Sequence, residues 1–150
     1  MLSGHGSTTA FVFDPDPDGS PPPGTSLSCQ REILSRRALL VESALAALVL
    51  ESRLGLTRGA RLAIFLPNGF AAVVWAGGAK RLGIPFVAVP GGVPPSALCT
   101  RLRDTDAAAL VTNRALLPTA AVASLELGCA PPMLIVDAAD ATGATAVGLQ

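Results

Sequence analysis

The stretch GARLAIFLPNGFAAVVWAGGAKRLGIPFVAVPGGVPPSALCTRLRDTDAAALVTN, from Gly59 to Asn113, decides the fold of this chain. Three short apolar runs within it, Arg61–Pro67, Pro85–Pro90 and Ala107–Asn113, predict buried strands. Longer segments of helical character separate these runs. Strands that alternate with helices indicate parallel pairing and right-handed crossovers.

The helical segments have recognisable ends. The first runs from Phe70 to Leu82 and stops at Gly83, and the second opens at Pro94-Pro95, where the missing amide donor costs nothing. Beyond the central stretch we expect a helix over residues 116–127 and a fourth strand at Met133–Asp137. The pattern predicts an α/β fold: a partial doubly wound, mostly parallel sheet with helices on both faces.

The N-terminal part has a different character. We expect residues 1–10 to be disordered and Phe11–Asp14 to pair with residues 27–34 in a small β-ribbon. The intervening residues 15–25, PDPDGSPPPGT, suit an exposed loop, and their alternating carboxylates lack the flanking helices and the glutamate of a calcium loop. The folded domain is therefore placed at residues 11–150.

A helix is predicted over residues 36–54, with Ser35 as its N-cap and Gly55 at its end. Four apolar residues of this helix fall on one stripe at helical spacing, and we expect this stripe to face the core. They are Leu40, Ala44, Ala47 and Leu48.

Composition excludes several classes of function. Half of the residues are apolar, 15% are charged and the formal net charge is zero, so no basic field favours nucleic acid or a membrane surface. The first residues lack the pattern of a secretory signal. These features predict a cytoplasmic protein, or a mitochondrial one if the true N-terminus is missing.

Metal and catalytic chemistry find little support in the sequence. The three cysteines are Cys29, Cys99 and Cys129, and the single histidine is His5. No CxxC pair is present, so we expect free thiols and no metal site. One lysine, Lys80, lies inside a predicted helix rather than after a phosphate-binding loop. We therefore name no catalytic residue in this chain.

Several segments resemble the AMP-forming acyl-CoA synthetases, and within them the acetyl- and propionyl-CoA synthetase branch. The matching segments are GARLAIFLPN, GIPFVAVPGG, SALCTRLRDTD and ALVTN, with REILSRRALL upstream, and the resemblance covers roughly residues 11–114. It implies that a small carboxylate is joined to CoA, that ATP is consumed in the reaction and that Mg²⁺ is used as a cofactor. The family carries its lysine-bearing phosphate loop further downstream, so the resemblance implies an N-terminal fragment that is inactive alone.

The resemblance also implies a CoA-binding site. In these synthetases a glycine pair after the second buried strand lies against CoA, and here that pair is Gly91 and Gly92. An arginine after the next strand binds a CoA phosphate, and Arg114 lies near that place. Two simpler interpretations stay open, a plain strand-to-loop turn for the glycines and a surface role for the arginine.

Two other classes of protein are compatible with parts of the pattern. A nicotinamide-binding Rossmann domain requires GxGxxG directly after the first strand, and LPNGFA does not supply it. A non-catalytic CoA- or nucleotide-binding module, or an interaction module of α/β fold, is the stronger alternative. A reading frame that continues into a lysine-bearing phosphate loop favours the enzyme over this alternative.

Overall fold

The computed structural model describes residues 9–13 and 32–136, which fall into two compact units, Met1–Leu40 and Val41–Gln150. In the first unit, β1 (Thr9–Phe13) pairs antiparallel with β2 (Glu32–Ser35), which confirms the predicted ribbon. The strand begins at Thr9, two residues before the predicted start at Phe11. Residues 1–8 and the predicted loop lie outside the described residues.

Helix α1 (Arg36–Leu54) has the predicted bounds. The Ser35 hydroxyl accepts a hydrogen bond from the Ala38 amide at 3.1 Å, so Ser35 is the N-cap. Gly55 follows the last turn with φ of 62°, a left-handed conformation that glycine adopts at helix ends.

The second unit contains the parallel sheet, and its strands and helices alternate as predicted. Its elements are β3 (Leu62–Leu66), α2 (Phe70–Arg81), β4 (Phe86–Pro90), α3 (Pro95–Thr105), β5 (Ala109–Thr112), α4 (Leu117–Leu127) and β6 (Met133–Ile135). The spatial order of the four strands is β4-β3-β5-β6, and every neighbouring pair is parallel. Asp137, the last residue of the predicted fourth strand, lies outside the described residues.

Helices cover both faces of this sheet. Ala63, Phe65 and Leu110 point to one face, where they pack in a core cluster with Leu98 of α3 and Ala120 of α4. The alternate residues of β3 point to the other face. The chain crosses the sheet in one direction from β3 to β4 and in the opposite direction from β4 to β5. Because both crossovers are right-handed, α2 lies on the face opposite α3.

The part of α1 that belongs to the second unit packs against α2 through small residues, and the predicted core stripe of α1 was largely wrong. The residues that α1 buries are Ser43, Ala46, Ala47 and Leu50. Of the predicted stripe only Ala47 is among them, while Leu40 and Leu48 are each 58% exposed.

The physical reason lies in the glycine pair Gly77-Gly78 of α2. A Cβ at Gly78 would lie 2.8 Å from Ala46 Cβ and 2.9 Å from the Ala47 amide nitrogen. A Cβ at Gly77 would lie 2.8 Å from Ser43 Cβ. Because the two helices approach this closely, the contact selects small side chains on α1 and turns its leucines outward.

Two of the cysteines can be placed in the structure. Cys99 is buried, Cys129 is exposed, and both are free thiols as predicted; Cys29 lies outside the described residues. Among the described helices, none combines the length and the apolar character needed to span a bilayer.

Candidate functional site

The three predicted site residues lie at one edge of the parallel sheet. Leu66 at the end of β3 is in register with Pro90 at the end of β4, and Phe65 is in register with Thr112 of β5. Because these strands are parallel, the segments that follow them leave the sheet at the same edge. Gly91 and Gly92 follow β4, and Arg114 comes two residues after β5 ends.

Strand order makes this edge the expected place for a ligand. The chain moves from β3 to β4 in one direction and then crosses back to β5 on the other side of β3. The connection that follows β3 therefore leads to one side of the sheet and the connection that follows β5 leads to the other. Open parallel sheets bind ligands at such a point, beyond the carboxyl ends of the two strands. The β4 turn leaves the same end of the sheet next to β3, one strand away from this point.

Gly91 and Gly92 have different surroundings although they are adjacent. A Cβ at Gly91 would lie 3.0 Å from Leu116 Cδ1 and 3.5 Å from the Pro67 nitrogen, so Gly91 packs against the neighbouring segments. A Cβ at Gly92 would have no neighbour within 4 Å among the residues that the structure describes. Neither residue has a positive φ. The turn conformation therefore does not require glycine at position 92, and its bare backbone faces open space.

Arg114 lies in the turn that Asn113 and Leu116 close. Asn113 is buried, and its Oδ1 accepts a hydrogen bond from the Leu116 amide at 3.0 Å, while its carbonyl oxygen accepts from the same amide at 3.2 Å. Leu116 in turn contacts the position of Gly91. This chain of contacts brings the β4 turn and the segment carrying the exposed Arg114 side by side.

Sequence reasoning missed the residues that support this edge. Asn113 and Leu116 hold the two turns together, and Thr112 is fully buried with no hydrogen-bond partner for its Oγ1 among the described residues. A polar pair closing an apolar strand, as Thr112-Asn113 does, is the signal that could have drawn attention to them.

The described residues do not fit a magnesium or phosphate-loop site. They contain no group of three or more His, Cys, Asp or Glu residues that could hold a metal ion. Lys80, the chain's single lysine, is exposed in the last turn of α2. Since α2 starts at the carboxyl edge of the sheet and runs back, its last turn lies at the opposite edge, away from Gly92.

An open groove of about 440 Å³ lies at the amino end of β5 and β6. Its lining includes Arg103, Asp106 and Cys129, and none of the three predicted site residues takes part in it. Asp106 forms an exposed ion pair with Arg61 at 3.0 Å, so the groove's single carboxylate is already engaged. Because the groove lies at the amino ends of the strands, it is separate from the candidate site at their carboxyl ends.

Comparison with known proteins agrees with the fold and the sequence motifs. The family model described as AMP-binding enzyme matches residues 13–147, and the chain belongs to this family. Acetyl-coenzyme A synthetases of Mycobacterium tuberculosis and Mycobacterium bovis are 36% identical over 110 residues. That alignment covers 73% of this chain and 15% of each relative, so the chain spans a small part of their length.

Solved structures show the same fold. A Brucella canis acyl-CoA synthetase is similar with a TM-score of 0.66 and 25% identity, over 75% of this chain and 20% of that one. A benzoate CoA ligase from Burkholderia xenovorans has a TM-score of 0.62 and 20% identity, over 69% of this chain and 21% of that one. The suspected membership of the acyl-CoA synthetase family is thus confirmed.

Proposed function

We propose that the chain is the N-terminal part of an AMP-forming acetate or short-chain acyl-CoA ligase, and that its carboxyl sheet edge contributes to the CoA site. The observation that carries this proposal is Gly92, whose exposed backbone follows β4 at the carboxyl end of the parallel sheet. The names of the relatives, acetyl-coenzyme A synthetases among them, support the reaction. A cytoplasmic location stays a prediction.

The complete reaction consumes a carboxylate, ATP and CoA. A carboxylate oxygen attacks the α-phosphorus of ATP, pyrophosphate leaves, and the CoA sulfur then attacks the acyl carbonyl and displaces AMP. This chain would act on the second step by holding CoA. The described residues offer no set of ligands for Mg²⁺, so the proposal assigns the ATP and magnesium chemistry to other parts of a complete synthetase.

The sheet edge has two features that suit CoA. The backbone at Gly92 lets an elongated ligand approach without meeting a side chain. Arg114 adds a cationic group on the neighbouring turn, and guanidinium groups bind phosphate through paired, charge-assisted hydrogen bonds. Gly91 would contribute indirectly, because its packing against Leu116 fixes the position of the turn.

A second candidate is a non-catalytic CoA- or nucleotide-binding module. It is favoured by the position of Lys80, which lies far from the candidate site and follows no phosphate loop. Both candidates predict that the 150-residue chain alone does not release pyrophosphate from ATP with acetate or propionate. Acetate-dependent release above a protein-free blank would contradict both.

A chimeric enzyme separates the two candidates. The segment of the Mycobacterium tuberculosis acetyl-coenzyme A synthetase that aligns with this chain would be replaced by the chain's own 110 aligned residues. The ligase proposal predicts a chimera that forms both acetyl-adenylate and acetyl-CoA. A folded chimera without either activity would favour the non-catalytic module.

The same chimera tests the CoA site. Gly92→Val places a branched side chain where CoA would approach, so we expect the KM for CoA to rise at least about tenfold while adenylate formation stays near its unsubstituted rate. Val93→Ala, in the same turn, is the control: it removes a side chain that packs against the core and adds no bulk beside Gly92, so it should leave the KM for CoA unchanged. If Gly92→Val lowers both steps equally in a folded protein, the assignment of Gly92 to CoA is wrong.

A further inference from the structure

Helix α1 carries large apolar side chains that are exposed in the described part of the chain. Leu40, Val41, Leu45 and Leu48 are between 43% and 58% exposed. We call these four residues together with the exposed Ala44 the outer stripe. Helical spacing places them on one face, turned away from the small residues that α1 packs against α2. Monomeric proteins rarely expose contiguous apolar surface of this kind unless it binds something.

The charges along the helix axis show which kind of partner fits. Arg37 precedes Ala44 by seven residues and Glu51 follows it by seven, and both are exposed. Seven residues make about two helical turns, so both charges lie in line with the outer stripe. The stripe is thus bracketed by a positive charge at its N-terminal end and a negative charge at its C-terminal end.

We infer that the outer stripe is an interface with a second copy of this chain, in which the two α1 helices pack antiparallel about a twofold axis at Ala44. The axis places Arg37 opposite Glu51 of the partner subunit, and the same pair forms again on the other side. A parallel arrangement would oppose like charges instead. The small side chain of Ala44 lets the helices approach closely where they cross.

Charge reversal tests both the interface and its direction. In sedimentation equilibrium of the 150-residue chain we expect a dimer, and Arg37→Glu or Glu51→Arg should each raise the dimer dissociation constant about tenfold, because each dimer contains the pair twice. The double variant should return to within about threefold of the unsubstituted chain. Arg101→Glu, on the exposed surface of α3, is the matched control and should have no effect.

The charge-reversal variants should stay folded, so a loss of the dimer would not be caused by unfolding. Arg37→Glu puts an acid in the first turn of α1 and Glu51→Arg puts a base near its last turn, and both changes suit the helix dipole. Leu48→Asp should abolish the dimer while helix content by circular dichroism is retained, since Leu48 is exposed in the single chain.

Three results would each overturn the inference. A chain that remains monomeric at high micromolar concentration would mean that something other than a second copy covers the stripe, such as further residues of a longer polypeptide. A dimer that survives Leu48→Asp would place the interface elsewhere. A double charge reversal that fails to restore the dimer would exclude the antiparallel register.

Discussion

Two glycine pairs, Gly77-Gly78 in α2 and Gly91-Gly92 after β4, differ in what their missing side chains make room for. At the first pair, both Cβ positions lie 2.8 Å from atoms of α1, so the space is filled by another helix. At the second pair, a Cβ added at Gly91 would meet a flexible leucine side chain, and one added at Gly92 would meet no described residue within 4 Å. The Gly-Gly pair in α2 therefore allows close packing against α1, whereas the pair after β4 leaves the backbone at Gly92 accessible.

The largest difference is expected between two identical substitutions. Gly78→Val should lower the free energy of unfolding by about 3 kcal/mol, because the added side chain meets Ala46 and the Ala47 backbone, which cannot rotate away. Gly92→Val should change it by no more than about 0.5 kcal/mol. Urea unfolding of both variants measures this. Equal losses at the two positions would remove the distinction between the pairs.

A smaller effect is expected at Gly77. Gly77→Ala should destabilise the fold by about 1 kcal/mol, since crowding against Ser43 Cβ outweighs the better helix propensity of alanine. Ser43→Gly removes the atom that is crowded. In a double-mutant cycle the Gly77→Ala penalty should disappear in the Ser43→Gly background, and a penalty that persists there would contradict the assigned contact.

The smallest loss of stability is expected at Gly91. Gly91→Ala should cost less than about 1 kcal/mol, because its nearest contact, Leu116 Cδ1 at 3.0 Å, is the end of a flexible side chain. Leu116→Ala should abolish even this cost in the same unfolding assay. A loss as large as that of Gly78→Val would instead show that the β4 turn is a rigid packing contact.

Most of the fold follows from patterns that sequence alone contains. The apolar runs of β3, β4 and β5 are bounded by charges, prolines and glycines, so their strands and the helices between them could be predicted within about two residues. The Ser35 cap and the Gly55 stop of α1 depend on local backbone chemistry, which sequence also shows.

The buried face of α1 could not be predicted in the same way. Hydrophobicity selected Leu40 and Leu48, whereas the structure buries Ser43 and Ala46. The deciding factor is the distance between α1 and α2, which depends on Gly77 and Gly78. These glycines lie more than thirty residues further along the chain than the α1 residues that they contact. A tertiary constraint of this type leaves no signal in the helix's own sequence.

The candidate site was only partly accessible to sequence reasoning. The chain order and the strand ends bring Gly91, Gly92 and Arg114 to one edge, as parallel pairing requires. Sequence does not show that Gly91 packs against Leu116 while Gly92 is exposed, because this difference depends on three-dimensional contacts. The same holds for the role of Leu116 in joining the two turns. Whether CoA uses this edge stays a prediction.

The most direct test of the CoA-site proposal is a titration of the 150-residue chain with CoA, observed by amide chemical shifts in ¹⁵N-labelled protein. If the edge binds CoA, the largest shifts will fall on Gly91, Gly92 and Arg114, and Gly92→Val will abolish them while the α1–α2 amides at Gly77 and Gly78 stay unchanged. If the largest shifts fall elsewhere, or if Gly92→Val leaves them intact, Gly92 is an ordinary turn residue and the proposal is contradicted.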